Sequence, residues 1–595
     1  MIATQGHFGP RFVADGVSFR FYASAATAVR LELRDASGER SIAMDARGDG
    51  WFEALDAHAA DGTRYAFRID DAAFTVPDPA SRFQPDGVHG SSQVVDTRTF
   101  AWPDREWPGQ AWNAYAICEL HIGAFTPAGT YAAAIERLDE LAATGYTAIE
   151  VMPLAATPGE RNWGYDGVLW YAPSERYGTP AELRAFIAAA HTRGLAVLLD
   201  VVYNHFGPEG NYLHGYAPDF YTDAYQTPWG AAIDYERCDA ARAYAIENAR
   251  YWIDVYGFDG LRLDATQMIF DASRPSLLVE LRDAVATSGQ RAVLIVENDH
   301  NDVSVLDAGY DAQWNDDYHH AAHVLATGER DGYYRGYAAR PAWHLLRSLT
   351  EGFGYQGEIS QIHGGIPRGA PSAHFPLTKF VDFLQNHDQI GNRAFGERLA
   401  ALTSDAALHA FTALLLLAPS PPLAFMGDES AASTPFLFFC DFEPELATLV
   451  TAGRRREFAG FPAFADEAVR ETIPDPGARE TFVRSKLDWN ERMREPHRSV
   501  LERYRTLLQL RRAEIVPRNA GVTGRDAYGE PIGSRGVRAN WRLADGRQLH
   551  VDANLGGEAA TAFAERLPGT RLYATHGERY AHGIAPPWAV RWTLE

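Results

Sequence analysis

Eight short apolar runs recur between residues 116 and 427, and their spacing restricts the fold more than any other feature of the chain. They are AICELH (116–121), TAIEVM (147–152), AVLLDVV (196–202), FDGLRLD (258–264), AVLIVE (292–297), DAQW (311–314), KFVDFLQ (379–385) and PLAFMG (422–427). Helical stretches lie between them, such as AAAIERLDELAAT (132–144), PAELRAFIAAAHTRG (180–194) and ARAYAIENARYWIDVYG (241–257). Short apolar runs that alternate with helices read as parallel strands buried on both faces. Eight such units predict an α/β fold, a (β/α)₈ barrel with insertions, in preference to a doubly wound sheet. DAQW is the weakest of the eight. The barrel is expected over 101–515, with an aromatic, Pro/Gly-rich insertion near 203–240 that is too long for an ordinary loop.

The flanks change period. Val17, Phe19 and Phe21 alternate with polar or small residues, as do Val29, Leu31 and Leu33, and Tyr65, Phe67 and Ile69 follow. Period-two runs between DG, SGE and GDG turns predict an N-terminal β-sandwich over 1–100. The Pro/Gly-rich stretch 77–96 reads as its exit. ANWRL-ADG-RQLHVDANL (539–555) reads as a hairpin around Asp545-Gly546, and a C-terminal β-sandwich is expected over 516–595.

Several strand-like runs end in a polar residue that a buried strand should not want: Asp264, Glu297, Asp388 beyond FLQ, and His205 beyond LLDVV. In a barrel the carboxyl ends of the strands form one face, so acids from different strands converge there. Arg262 and Asp264 are two apart and share a side. The arginine holds Asp264 ionised, which suits a nucleophile or stabiliser. Glu297 follows AVLIV and is expected to be desolvated, which suits a proton donor. Two carboxyl groups in those states are the equipment of glycoside hydrolysis. The ring content agrees: 14 Trp, 27 Tyr and 31 Phe can stack on the CH faces of a sugar whose hydroxyls bond to acids. The net charge of −23 argues against a nucleic-acid partner and against anionic membranes. Three widely spaced cysteines give neither a disulfide framework nor a zinc pattern, and no secretory signal or spanning segment is visible. A cytoplasmic enzyme is the expectation.

DVVYNH (200–205), GLRLDA (beginning at 260), VEN (296–298) and QNHDQ (385–389) resemble, in order, the four short motifs of the α-amylase family of glycoside hydrolases. The resemblance covers nearly the whole chain. It implies that Asp264 is the nucleophile, Glu297 the general acid/base and Asp388 the transition-state stabiliser. It also implies that Arg262, His205 and His387 bind the same sugar ring and that Tyr165, in NWGYDG, stacks beneath it. Asp200 reads as structural. After Asp264 the chain reads ATQMIF, where many α-amylases place a Lys-His pair. The stretches 119–131, 161–173, 204–213, 311–323 and 383–393, with TPFLFFCDF (434–442) and GRRREF (453–458), instead resemble the branch that cuts trehalose from maltooligosyltrehalose. That branch implies a retaining double displacement, with the two carboxyl groups about 5–5.5 Å apart. It places Trp314, Asp316, Asp317 and Phe436 as candidates for the leaving-side subsite. It further implies maltooligosyltrehalose as substrate, functional coupling to a maltooligosyltrehalose synthase, and no cofactor.

Two other readings stand beside this one. A glucan branching or debranching enzyme shares the N-terminal sandwich, and a non-catalytic glucan-binding scaffold would have lost at least one of the three acids. Four further signals are set aside. GFGYQG (352–357) matches G-x-G-x-x-G without the strand–helix context of a dinucleotide site. His319, His320 and His323 read as satisfied histidines and not as a metal set. Asn204 corresponds to a calcium ligand in many α-amylases, but further oxygen ligands cannot be assembled, so no metal is expected. Arg454, Arg455 and Arg456 read as a solvated helix face.

Overall fold

The computed structural model describes residues 7–100, 107–289, 291–577 and 580–595. Eight parallel strands close into a barrel: β1 (Ile117–Leu120), β2 (Ala148–Val151), β3 (Ala196–Val201), β4 (Gly260–Leu263), β5 (Val293–Val296), β6 (Ala312–Trp314), β7 (Phe380–Phe383) and β8 (Pro422–Phe425). Each expected apolar run carries one strand, DAQW included. The strands follow one another around the ring in chain order, and β8 closes on β1.

Paired residues of neighbouring strands point to the same face, so the register stacks the interior in layers. Ala148 pairs with Ile117 on one side and Ala196 on the other. These belong to an apolar plug that also holds Val293, Ile295, Val381 and Leu423. Nearer the carboxyl end, Glu119 pairs with Glu150 and Asp200 with Arg262. The barrel is therefore apolar at one end and charged at the other, and the charged end carries the site.

Two four-stranded sheets form the N-terminal sandwich. Phe21 stacks on Phe67 at 4.0 Å and Phe19 packs on Tyr65 at 5.0 Å between the layers. Arg82 then clamps this unit to the barrel, its guanidinium lying 4.7 Å from the Tyr171 ring and 4.3 Å from that of Tyr251. At the other end of the chain, Ala527–Ile532, Gly536–Arg542, Gln548–Asn554, Thr570–Ala574 and Ala589–Leu594 form one antiparallel sheet. Its second layer is made of barrel helices where the sequence reading expected another sheet. Trp541 and Trp592 stack at 5.6 Å and donate to the carbonyls of Leu349 and Ala413, in the helices Pro341–Glu351 and Asp405–Leu417.

The insertion after β3 is ordered. It contains a hairpin, Tyr221–Thr227 with Gly230–Ile233, whose turn presents Trp229. Arg454 departs from the sequence reading, because it is buried and donates to the carbonyls of Gly391 and Arg393 instead of facing solvent. His319 and His323 are buried too, satisfied by the Leu384 carbonyl and Glu329. Among the described residues no helix is long and apolar enough to cross a membrane.

GFGYQG has a structural use. Gly352 ends the helix Pro341–Glu351 at φ 103°, and a Cβ there would fall 2.3 Å from the Phe380 ring at the start of β7. Gly352→Ala combines left-handed strain with overlap in a packed core, so it should destabilise the protein by about 1–3 kcal/mol. Thermal unfolding beside wild type measures this; an unchanged midpoint would contradict the packing argument.

Candidate active site

Arg262 organises the charged end of the barrel. It is fully buried in β4, and its guanidinium lies 3.9 Å from the centroid of the Trp314 ring. Nη1 donates to both Asp200 oxygens (2.9 and 2.7 Å) and to Asp264 Oδ1 (2.9 Å), while Nη2 donates to Glu297 Oε2 (2.7 Å). One cation thus ties together acids from β3 and from the ends of β4 and β5. Charge-assisted bonds of this length fix position as well as charge.

Asp264 and Glu297 emerge just past their strands, and the backbone there aims them. Asn204 donates to Asp264 Oδ2 (2.8 Å), which leaves that side chain 13% exposed to the cleft. Ala265 lies in the left-handed region (φ 38°), unusual for a residue with a Cβ, and its N–H donates to Glu297 Oε2 (3.0 Å). Thr266 binds the Glu297 carbonyl through its N–H and hydroxyl (2.9 and 2.8 Å). Burial raises the pKa of Glu297, and the Asp264 charge adds to that, against the opposing pull of Arg262. A carboxyl whose pKa is raised beside an arginine-held partner is what proton donation requires.

Asp388 arrives differently, in the first turn of the helix His387–Gly391 after β7. A capping box forms this turn: Asn386 Oδ1 accepts the Asp388 N–H (2.9 Å), and Gln389 Oε1 accepts the Asn386 N–H (2.9 Å). The Asp388 side chain is 35% exposed, more than those of the other two acids. Burial raises its pKa, opposed by His387. His387 is buried between carboxylates, its Nδ1 on Glu119 Oε1 and its Nε2 3.4 Å from Asp388 Oδ1. Burial would lower its pKa, but the charges of Glu119 and Asp388 outweigh that and raise it to about 9. Near neutral pH it is a cation.

Tyr165 stacks on His387 (5.1 Å, 23°), and its hydroxyl donates to Asp200 Oδ2 (2.5 Å). Asp200 therefore anchors both Arg262 and the stacking ring. His205 is buried, with Nδ1 on Asn204 Oδ1 and Nε2 on the Tyr165 carbonyl (3.0 Å), so both ring nitrogens are already engaged with protein. Trp229 stacks on its face at 3.8 Å and 9° and is 46% exposed.

The four leaving-side candidates separate. Asp316 faces the acids; Gln389 donates to it (3.4 Å), and burial with the Glu297 and Asp388 charges pushes its pKa well up. The other three belong to the interior, which corrects the sequence reading. Trp314 floors Arg262 and is 1% exposed, and Phe436 is fully buried against Trp163 (5.3 Å, 18°). Asp317 is fully buried with Arg368, Tyr337, Asn301 and the Tyr355 N–H as partners. For Trp314 and Asp317 the spacing in DAQWNDD carried no sign of this, because adjacent residues on a strand-to-helix junction turn to opposite sides. Sequence reasoning also passed over Glu119, Glu150 and Trp229. An acid within the buried runs AICELH and TAIEVM was the available signal for the first two. Among the described residues, no group of three or more His, Cys, Asp or Glu is placed to hold a metal ion.

Comparison with known proteins follows the same architecture. Residues 100–229 match the alpha amylase catalytic domain, residues 7–81 the carbohydrate-binding module 48 (isoamylase N-terminal domain), and residues 524–592 a domain of unknown function, DUF3459. The chain is 44% identical over 507 residues to a malto-oligosyltrehalose trehalohydrolase of Deinococcus radiodurans, covering 85% of this chain and 82% of the relative. It is 39% identical over 515 residues to the Saccharolobus solfataricus protein of the same name, covering 85% and 87%. A Salmonella typhimurium crystal structure described as an alpha amylase superposes with a TM-score of 0.93 at 42% identity, covering 99% of each chain.

Removing the shared cation should collapse the site. Arg262→Met leaves buried Asp200 and part-buried Asp264 and Glu297 without their cation and should cost about 3–5 kcal/mol of stability. Denaturant unfolding measures it, and a loss below about 1 kcal/mol would show that the acids are held by other contacts.

Proposed function

This chain belongs to the malto-oligosyltrehalose trehalohydrolases of the α-amylase family, and from that premise we propose how its cleft performs their reaction. The enzyme is a glycoside hydrolase that cleaves the α-1,4 bond between a maltooligosaccharide and a terminal trehalose unit, releasing trehalose. The observation that carries the residue assignment is the division of one guanidinium between Asp264 and Glu297.

Asp264 attacks the anomeric carbon of the glucose preceding trehalose, forming a covalent glycosyl-enzyme. Glu297, which keeps its proton more readily, donates it to the departing glycosidic oxygen. The resulting carboxylate then takes a proton from water, which attacks the glycosyl-enzyme and regenerates Asp264 with net retention. Asp388, partly exposed and next to cationic His387, binds hydroxyls of the same sugar, and Tyr165 stacks beneath that ring. Trp229 offers its free indole face at the rim of the cleft, and Asp316 offers a neutral acid on the leaving side.

The three cysteines are unpaired and buried, which supports a reducing, cytoplasmic setting. The substrate already carries a terminal trehalose linkage, so an enzyme that forms it, a maltooligosyltrehalose synthase, must act first.

Incubation with maltooligosyltrehalose should release trehalose, and incubation with amylose should create no branch points. Branch points without trehalose would instead identify a branching enzyme. NMR of the first-formed maltooligosaccharide should show the α-anomer; the β-anomer would exclude the covalent route. Glu297→Gln should lower kcat by about 10²–10⁴-fold, with partial recovery on a substrate whose leaving group needs no proton. Trp229→Ala should raise KM several-fold with little change in kcat, because its stacking energy holds substrate and transition state alike.

A further inference from the structure

Glu150 is the one acid of the charged layer for which the mechanism above has no use. It lies in β2, is 1% exposed and points into the barrel level with Glu119. Among the described residues, no donor reaches either of its oxygens. The groups facing it are Glu119 from β1, Asp200 from β3, Arg262 from β4 and His387 from the segment after β7, with the Tyr165 hydroxyl beyond on Asp200. Both cations direct their side-chain bonds elsewhere, and among the described residues the Arg262 Nε–H has no partner. Arg262 bonds Asp200, Asp264 and Glu297, and His387 bonds Glu119 and lies against Asp388.

A carboxylate buried with no donor costs several kcal/mol, and adjacent carboxylates raise that cost. The same side chain as a neutral acid costs far less. Burial first, then the Glu119 and Asp200 charges, push in the same direction, well above the ordinary glutamate range.

We propose that Glu150 is a positioning residue carried as a neutral carboxylic acid. By staying uncharged it leaves Arg262 to Asp200 and the catalytic pair, and His387 to Glu119 and Asp388. Its ionisation as pH rises then adds a second alkaline limit to the one Glu297 sets by losing its own proton, since a new carboxylate in this layer competes for the same two cations. The consequence for activity rests on the two-carboxylate reading above, whereas the protonation state does not.

The sign for stability follows. Between the ordinary glutamate range and the raised pKa of Glu150, the folded chain keeps a proton that the unfolded chain releases. Glu150 therefore subtracts stability progressively as pH rises through that window.

The test compares the full-length wild type with Glu150→Gln, a neutral side chain of the same shape. The carboxyl region of the wild-type-minus-variant infrared spectrum at pH 7 should contain a protonated C=O band; a carboxylate band would overturn the proposal. The variant should keep kcat within about twofold of wild type at neutral pH, and the alkaline limb of its kcat/KM profile should fall less steeply than that of wild type, because only Glu297 then titrates. A hundredfold loss of kcat in a folded variant, or an alkaline limb as steep as that of wild type, would overturn the positioning role. The melting temperature of the variant should gain on wild type as pH rises above the ordinary glutamate range, and an opposite trend would count against it. A neutral residue that served only packing would leave the pH profile unchanged. If Glu150→Gln fails to fold, a ¹³C-carboxyl NMR titration of the wild type still reads the protonation state. Neither spectroscopic reading depends on which glucan the enzyme cuts, so failure of the trehalose assignment and failure of this proposal are distinguishable.

Discussion

Arg262 is a full positive charge with no exposure to solvent, and it is tolerable only because carboxylates surround it. Burying an ion costs several kcal/mol unless opposite charges and hydrogen bonds compensate. Asp200, Asp264 and Glu297 provide that compensation, and Trp314 floors the guanidinium with an aromatic face. The same contacts also hold in place the two acids assigned to the chemistry. Folding stability and catalytic geometry thus share one group, and the strands that carry these residues are fixed by the barrel register.

A second centre repeats this logic on the other side of the cleft. His387 is cationic because Glu119 and Asp388 flank it, and Tyr165 stacks on it while bonding Asp200. The two centres meet at Asp200, which serves Arg262 and Tyr165 together. This coupling ties residues far apart in the chain into one rigid surface at the charged end of the barrel. It also explains why charge is rationed in this layer: two cations serve many acids, and any acid left over must stay neutral.

Outside these centres, the architecture supplies walls. The N-terminal sandwich is pinned through Arg82, and the C-terminal sheet uses barrel helices as its second layer. The hairpin inserted after β3 brings Trp229 over His205, so a long aromatic stretch that looked irregular in sequence becomes an ordered rim.

The sequence by itself pointed to the barrel, because eight apolar runs of strand length alternating with helices match a closed (β/α)₈ ring. It also drew attention to Asp264 and Glu297, because an acid just past a buried strand needs a reason to be there, and to Asp388 through the QNHDQ motif. Which residues stand behind them was decided by tertiary structure. Trp314, Asp317 and Phe436 look as suitable for a sugar as Asp316 does, yet three face the core and one faces the cleft. That choice depends on rotation at a strand end, which carries no periodic signal in the chain. His205 likewise spends both ring nitrogens on neighbours that only the fold brings near. Whether Glu150 is charged is settled by the distribution of two cations among many carboxylates, and that is a property of positions in space, not of residue order.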